Sequence, residues 1–380
     1  MDNIEVISSR LIVDVTVGSY HPSGCGASHR LSDISAAMDV KCVALWLAIL
    51  LASCGNPQPV PIDGEDAQIS SPNCIGLTVT CGVTRGDNCC RASVVPGNAM
   101  GATLAGALFY RSYDVGTDNM YPDMNYPATV SDFRLDTYLI TVGRFRAFIN
   151  AGMGTQTTAP AAGTGAHAVI ANSGWDASWD VDLDPDTTTL TTDLRCDSTY
   201  HTWTDTAGAN EDLPMNCVTW YEAMAFCIWD GGYLPTEAEW NYAAEGGSEQ
   251  RAYPWSSPAS SLTIDCTYAN YFIENPNEPY CVNGTTGDTN IVGSESPKGD
   301  SKWGQSDLGG NLLEWTLDWY APQYPTTTCD DCANLTAASA RVIRGGSFFL
   351  DAVDLRGAFR YDRNPSYRDG LTGARCARGM

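Results

Sequence analysis

The segment Asn216–Gly247, NCVTWYEAMAFCIWDGGYLPTEAEWNYAAEGG, contains two helix-start signals at close spacing. Thr219 is followed three residues later by Glu222, and Thr236 is followed by Glu239 in the same way. In such a capping box each side chain bonds a backbone N–H that the first helical turn leaves unpaired. A Gly-Gly pair after the first apolar stretch is typical of a helix end, because glycine readily adopts a left-handed conformation. The segment therefore predicts two short capped helices joined by a glycine turn.

The composition of the whole chain is that of a loop-rich folded protein. Its 380 residues include 36 Gly and 20 Pro, which favour many turns over a helical bundle, and 43% of them are hydrophobic, enough for a core. The formal net charge is −24, from 45 acidic and 21 basic side chains. An acidic surface keeps an exported protein soluble and attracts cations such as Ca²⁺, but it repels nucleic acid. We therefore expect no nucleic-acid partner.

The N-terminal region contains a predicted export signal that begins at Met38 and not at Met1. From Met38 the sequence MDVKCVALWLAILLASCG has one Lys, a short apolar core and small residues before Cys54. It resembles a bacterial lipoprotein signal peptide over residues 38–54, with lipidation at Cys54; an ordinary secretory signal and a buried segment are the alternatives. The apolar run is too short for a transmembrane helix. We expect residues 1–37 to be a spurious extension, and the protein to be exported and lipid-anchored to a bacterial membrane or cell surface.

The cysteine count fits an exported chain. Setting aside Cys25, Cys42 and the lipidation candidate Cys54 from the 15 cysteines leaves 12, and an even number predicts disulfides. The short Cys-Asp-Asp-Cys run at 329–332 could be half of a zinc site, but a local disulfide is favoured because no second such pair lies near it in the sequence. A tether and Cys-rich leader is predicted over residues 55–93. The remaining predictions are a bridge from Cys266 to Cys281 and two bridges among Cys74, Cys81, Cys89 and Cys90.

The region before the two capped helices has weaker patterns. Residues 128–140 alternate partly between apolar and polar and predict a strand, and residues 141–150 predict a short helix. Residues 151–212 are rich in Thr, Ala, Gly and Asp without clear periodicity, which predicts a long excursion on the surface. Within it, residues 180–186 imitate the start of a Ca²⁺ loop, but Pro185 occupies the position that needs glycine. We therefore expect a solvated acidic loop there.

Three blocks of sequence, in order, resemble the formylglycine-generating enzyme (sulfatase-modifying factor) family. The first is the segment already quoted, the second is DLGGNLLEW at 307–315, and the third runs from RVIRGGS at 341–347 to GARCA at 373–377. The resemblance covers roughly residues 94–378. It implies an α+β fold, the family's C-type-lectin-like domain with little regular secondary structure, which we assign to residues 94–380.

The resemblance also implies structural residues. A long-range disulfide is implied between Cys227 and Cys376, and half of a second calcium site at Asn270 and the carbonyl of Tyr271. A first structural Ca²⁺ site is implied, built from two carboxylates and two carbonyls, which are hard oxygen ligands. Its residues are Asp307, Gly310, Leu312 and Glu314; pairing of Glu314 with an arginine is the alternative.

The chemistry of the family's catalytic members depends on two cysteines that hold Cu(I), and here the resemblance breaks. The first position falls on Leu350 and the second within Asp351–Leu355, and the stretch 348–375 contains no cysteine. Because Cu(I) selects soft thiolates, we expect no copper. Ser347 and Arg360 match positions that line the substrate groove, although either could be a fold residue. Further groove candidates, with burial in the core as the alternative, are Trp315, Trp319, Tyr320, Phe348 and Phe349.

These features predict a non-catalytic domain that binds an unknown protein or glycan ligand, or scaffolds an assembly, at the cell envelope. The alternative function is a formylglycine-generating oxidase or a related enzyme that modifies protein cysteine. A purely structural surface protein is a third possibility. The missing thiol pair distinguishes the binding protein from the oxidase.

Overall fold

The computed structural model describes residues 92–98, 108–282, 284, 286–326 and 328–380. The predicted extension at 1–37, signal peptide at 38–54 with Cys54, and leader cysteines lie outside the described residues. No helix in the described ranges combines the length and the apolar character that a bilayer-spanning segment needs.

Short helices and strands connected by long loops make up the described domain, an α+β arrangement as the sequence predicted. The strands are β1 (Ala92–Val95), β2 (Phe109–Tyr110), β3 (Pro127–Thr129), β4 (Phe133–Asp136), β5 (Leu313–Trp319), β6 (Cys329–Asp330), β7 (Arg341–Arg344), β8 (Tyr361–Arg363), β9 (Thr372–Gly373) and β10 (Ala377–Gly379). The α-helices are α1 (Val142–Asn150), α2 (Thr187–Asp193), α3 (Trp220–Trp229) and α4 (Glu237–Ala244). Short 3₁₀ helices occur at Gln156–Thr158, Ala177–Asp182, Gly247–Glu249 and Ala352–Leu355.

The described strands form three small sheets. In the first, β4 lies between β1 and β10 and is antiparallel to both, which brings the C-terminal strand back to the beginning of the domain. In the second, β3 pairs with β2 and, in parallel, with β6. The third has the order β8-β7-β5-β9. Its register sets Trp319 opposite Arg341 and Glu314 opposite Arg344, so this sheet places the second and third sequence blocks side by side.

The two capped helices are confirmed. Thr219 Oγ1 accepts from the N–H of Glu222 (3.2 Å), and Glu222 Oε2 accepts from the N–H of Thr219 (2.9 Å). Thr236 and Glu239 make the same reciprocal pair at the start of α4. Gly231 follows α3 with φ +79°, a conformation that costs little only for glycine. Helix α1 is also confirmed, with Thr141 as its N-cap.

Two predictions upstream need correction. The strand expected over residues 128–140 is two short strands, β3 and β4, which belong to different sheets. Between them the N–H and hydroxyl of Ser131 both bond the carboxylate of Asp331 instead of a neighbouring strand. The stretch 151–212 is not only a surface excursion. It contains α2 and gives the main core apolar side chains that are too widely spaced to show periodicity: Trp175, Leu183, Leu190, Leu194 and Trp203.

Four disulfides close the described domain. Cys227 and Cys376 are joined, as the resemblance implied, and this bridge ties α3 to the residue before β10. The local bridges Cys266–Cys281 and Cys329–Cys332 are confirmed as well. The pairing of Cys196 with Cys217 had no signal in the sequence, because the bridge links the excursion to the segment just before α3.

Candidate functional site

Leu350 and Leu355 lie at the two ends of the region where the resemblance places the copper thiolates. Leu350 is partly buried against two core clusters, and Leu355, at the end of the 3₁₀ turn, is fully buried. A buried tyrosine fixes this turn, since Tyr253 Oη donates to the carbonyl of Ala352 (3.1 Å). All eight cysteines in the described residues form disulfides. This donor set does not fit a Cu(I) thiolate centre.

The predicted calcium carboxylate Glu314 has an arginine partner. It is fully buried in β5, its Oε2 accepts from Arg375 Nε (2.7 Å), and its Oε1 accepts from Arg375 Nη2 (2.8 Å). Trp240 Nε1 also donates to Oε2 (3.0 Å). The structure therefore shows the alternative that the sequence left open. A calcium ion at Glu314 would have to share these oxygens with Arg375, and the site stays a prediction.

The other members of that set lie in the loop before β5. Asp307 is nearly buried and has φ +58°; its Oδ2 accepts from the N–H of Gly293 (2.7 Å). Burial raises the pKa of the Asp307 carboxyl to about 6. The N–H of Gly310 bonds the carbonyl of Gly345 (2.8 Å), and the Leu312 side chain belongs to a small core cluster.

The half-site at Asn270 and Tyr271 fits a hard cation better. Both residues are buried, and Asn270 Nδ2 donates to the carbonyl of Asp288 (2.8 Å). Asn270 Oδ1 is buried and has no hydrogen-bond partner in the described part of the chain. A buried amide oxygen without a donor is costly, and it is a ligand type that Ca²⁺ accepts.

The two groove candidates lie in different places. Ser347 is fully buried after the turn at Gly345 and Gly346, and its Oγ accepts from the N–H of Phe349 (3.3 Å). Arg360 instead lines a cleft of about 460 Å³ that Ser347 does not border. The structure does not bring the pair together in one groove.

We call the space beside Arg360 the charged cleft, defined by Arg111, Glu237, Asp318, Tyr324 and Arg360. Glu237 lies at the start of α4, and its two oxygens accept from Arg360 Nε (2.5 Å) and Nη2 (2.9 Å). The guanidinium of Arg360 lies 4.2 Å from the centre of the Tyr324 ring, and that of Arg111 lies at the same distance. Burial, and then the charge of Glu237, raises the pKa of Asp318 to about 6. Cations stacked on an aromatic ring beside acids give a cleft of mixed charge.

A second space, which we call the tryptophan cleft, has a volume of about 830 Å³. It is defined by Trp175, Asp176, Trp179, Trp319 and Arg341, together with small residues of the loop 162–174. Trp319 and Leu335 border both clefts, so the two spaces are neighbours on one face.

The predicted groove aromatics separate into three environments. Trp315 and Phe348 are fully buried core residues, so the groove prediction is wrong for these two. Trp319 and Tyr320 are partly exposed; Trp319 borders both clefts, and the Tyr320 ring lies 5.2 Å from the Arg360 guanidinium. Phe349 is 41% exposed and packs on Tyr280.

A family model described as the sulfatase-modifying factor enzyme 1-like domain matches residues 92–380. The chain belongs to this family. Among curated proteins it is similar to the formylglycine-generating enzyme of Streptomyces coelicolor, with 33% identity over 46% of this chain and 57% of that protein. It is also similar to the serine/threonine-protein kinase pkn1 of Chlamydia pneumoniae, with 33% identity over 44% of this chain and 24% of that protein.

A further relative is the inactive C-alpha-formylglycine-generating enzyme 2 of Bos taurus, with 31% identity over 44% of this chain and 51% of that protein. The chain thus spans about half or less of the length of most curated relatives it matches. Among solved structures, PvdO from Pseudomonas aeruginosa has a TM-score of 0.49 at 19% identity, covering 76% of this chain and 93% of that one.

Sequence reasoning missed most residues of the two clefts. Arg111 and Tyr324 are 213 positions apart in numbering yet stack on one another, and no local pattern marks either. Trp179 lies in the stretch predicted as an excursion. Arg341 could have been singled out, because it opens the RVIRGGS run, but nothing in the sequence shows that its side chain faces a cleft.

Proposed function

We propose that this family member is an exported, lipid-anchored protein that binds a protein or glycan ligand at the bacterial cell envelope and does not generate formylglycine. The observation that carries the proposal is the region around Leu350 and Leu355. Two thiolates are needed for Cu(I), but Leu350 packs against the core at the first position, and the run Asp351–Leu355 that holds the second position contains no cysteine. No described cysteine is free to replace them.

The two neighbouring clefts support a binding role. Ligand sites in proteins are concave, with aromatic walls and a few placed polar groups. The charged cleft has two guanidinium groups beside two acids, and the tryptophan cleft has indole rings beside a buried guanidinium. The charged cleft takes residues from α4 and β5, and the tryptophan cleft takes residues from β5 and β7. The buried pair Glu237–Arg344 holds α4 to β7.

Co-expression with a sulfatase-type peptide, followed by mass spectrometry of the peptide cysteine, tests the proposal. We expect the cysteine to remain unmodified, whereas the Streptomyces coelicolor formylglycine-generating enzyme serves as the positive control. Conversion of cysteine to formylglycine at a rate above the empty-vector background would refute the non-catalytic assignment.

The anchoring part of the proposal has its own test. Mass spectrometry of the purified full-length product should show an N-terminal, lipid-modified Cys54, and the Cys54→Ala variant should appear in the soluble fraction. Detection of an intact Met1 in the mature protein would contradict both the late start and the lipid anchor.

A further inference from the structure

Arg341 has an unusual environment for a buried arginine. It begins β7, is 1% exposed, and its guanidinium lies 3.6 Å from the ring centres of both Trp220 and Trp319. Nη1 donates to the carbonyl of Leu317 (2.6 Å). The other two nitrogens, Nε and Nη2, are buried and make no hydrogen bond to any described residue.

The other fully buried arginines show what is missing. Arg344 pairs with Glu237, Arg356 with Asp114 and Arg375 with Glu314, all at 3.1 Å or less. Arg341 has no such ion pair within the described ranges. A buried guanidinium without a carboxylate is costly. Burial lowers the pKa of Arg341 to about 9, which leaves it charged at neutral pH.

The nearby acids do not satisfy this charge. Both oxygens of Asp318 accept from backbone N–H groups, those of Glu237 (2.8 Å) and Asn334 (2.6 Å). Asp176, on the rim of the tryptophan cleft, is exposed and caps the N–H of Ser178 (2.9 Å). Arg341 therefore lines the tryptophan cleft with two guanidinium nitrogens, Nε and Nη2, that no described group satisfies.

We propose that the tryptophan cleft binds an acidic sugar, whose carboxylate is received by Arg341. This inference rests on the proposed binding function and names its ligand chemistry. Nε and Nη2 lie on one edge of the planar guanidinium, and that edge matches the two oxygens of a carboxylate in a bidentate pair.

The rest of the cleft favours a sugar ring over a peptide. Partly exposed Trp179 and Trp319 give flat apolar surfaces, and exposed Asn172 and Asp176 offer acceptors for hydroxyl groups. An extended peptide would instead use an open strand edge. Strand β7 has none, because β5 and β8 pair with it on both sides.

Calorimetric titration of the native protein with D-glucuronate, D-glucose and acetate tests the inference. We expect glucuronate to bind, and glucose and acetate each to bind about tenfold more weakly or worse, because each lacks one half of the recognised group. Equal binding of glucuronate and glucose would refute the role of the carboxylate. Acetate or an N-acetylated dipeptide carboxylate binding as tightly as glucuronate would refute the sugar.

A second measurement does not depend on whether an Arg341 variant folds. In the wild-type protein, the Nε–H proton resonance of Arg341 should shift on addition of glucuronate and not of glucose. The Arg341→Lys variant keeps the charge but loses the bidentate edge, and it should bind glucuronate about tenfold more weakly. An unmoved Nε–H resonance at saturating glucuronate overturns the assignment to Arg341. If no probe binds and the co-expressed peptide stays unmodified, the acidic-sugar inference is wrong and the proposed function stands. If the peptide cysteine is converted to formylglycine, the proposed function is wrong, whatever Arg341 binds.

Discussion

Removal of the Cys227–Cys376 bridge should destabilise this domain more than removal of any local bridge. The bridge fastens α3 to the C-terminal strand, and both cysteines are fully buried. A disulfide stabilises mainly by restricting the unfolded chain, and the restriction grows with the length of the closed loop. The double variant Cys227→Ala/Cys376→Ala is compared with Cys266→Ala/Cys281→Ala, which opens a short loop in the same protein.

The loop lengths give the expected magnitudes. Cys227 and Cys376 are 149 residues apart, for which the chain-entropy relation gives about 5 kcal/mol at 25 °C. Cys266 and Cys281 are 15 residues apart, for which it gives about 3 kcal/mol. The smaller bridges nested inside the long loop shorten it only slightly and change the estimate by about 0.1 kcal/mol. Cavities left at two buried sulfurs add to the cost of the long bridge, so the difference should be about 2 kcal/mol or more.

Urea unfolding followed by tryptophan fluorescence measures the two free energies. Both variants should be expressed and unfolded at low temperature, since loss of a native bridge often prevents folding at 37 °C. The slopes of the unfolding free energy against urea concentration are compared first. Equal slopes show that a change in midpoint reflects a change in stability alone. If the Cys266/Cys281 variant loses as much stability as the Cys227/Cys376 variant, the loop-entropy argument is wrong for this fold.

Three further predictions concern Ca²⁺ binding, the protonation of His167 and Cu(I) binding. Ca²⁺ should raise the thermal midpoint of the wild-type protein relative to EDTA, and Asn270→Ala should lose that rise; equal midpoints in both buffers would exclude the half-site. Burial lowers the pKa of His167, but the hydrogen bond to Glu239 and the charge of that carboxylate together raise it by more. The pKa of His167 therefore lies above its usual value of about 6.5. Its stabilising contribution is therefore complete below pH 6.5 and is lost as the pH rises through the folded pKa. The difference between the urea midpoints at pH 6 and pH 9 should be smaller in the His167→Gln variant than in the wild-type protein. An equal difference in the two proteins would contradict a stabilising role for protonated His167. Anaerobic Cu(I) titration of the native protein should show no tight one-to-one thiolate complex, and such a complex would restore the oxidase hypothesis.

The sequence predicted the parts of the fold that local signals specify. A capping box needs only four consecutive residues, so α3 and α4 could be placed from Thr219 and Thr236. The bridge between Cys196 and Cys217 and the burial of Trp175 depend on how a long polar segment folds back onto the core. No short window contains that information, which is why this segment was predicted as an excursion.

The candidate site was harder to predict for the same reason. Arg360 was identified by its position relative to RVIRGGS, yet its partner Glu237 is 123 residues away and its aromatic neighbour Tyr324 lies in a loop of its own. Ser347 follows the same run but is buried behind it. The position of Ser347 and Arg360 relative to the motif therefore identified two residues that make specific contacts in the fold. It did not predict that only Arg360 lines a cleft.

Ion pairs connect the three sequence blocks to one another in this chain. Residues from these blocks form the buried pairs Glu314–Arg375 and Glu237–Arg344. Removing one partner of such a pair costs about 3–5 kcal/mol, because a buried charge is left alone. Leu350, at the first thiolate position, carries no such cost, because its uncharged side chain packs against the core. Arg341 belongs to the same blocks and is the fully buried arginine that the described network leaves without a carboxylate, so an anionic group on a ligand can complete it.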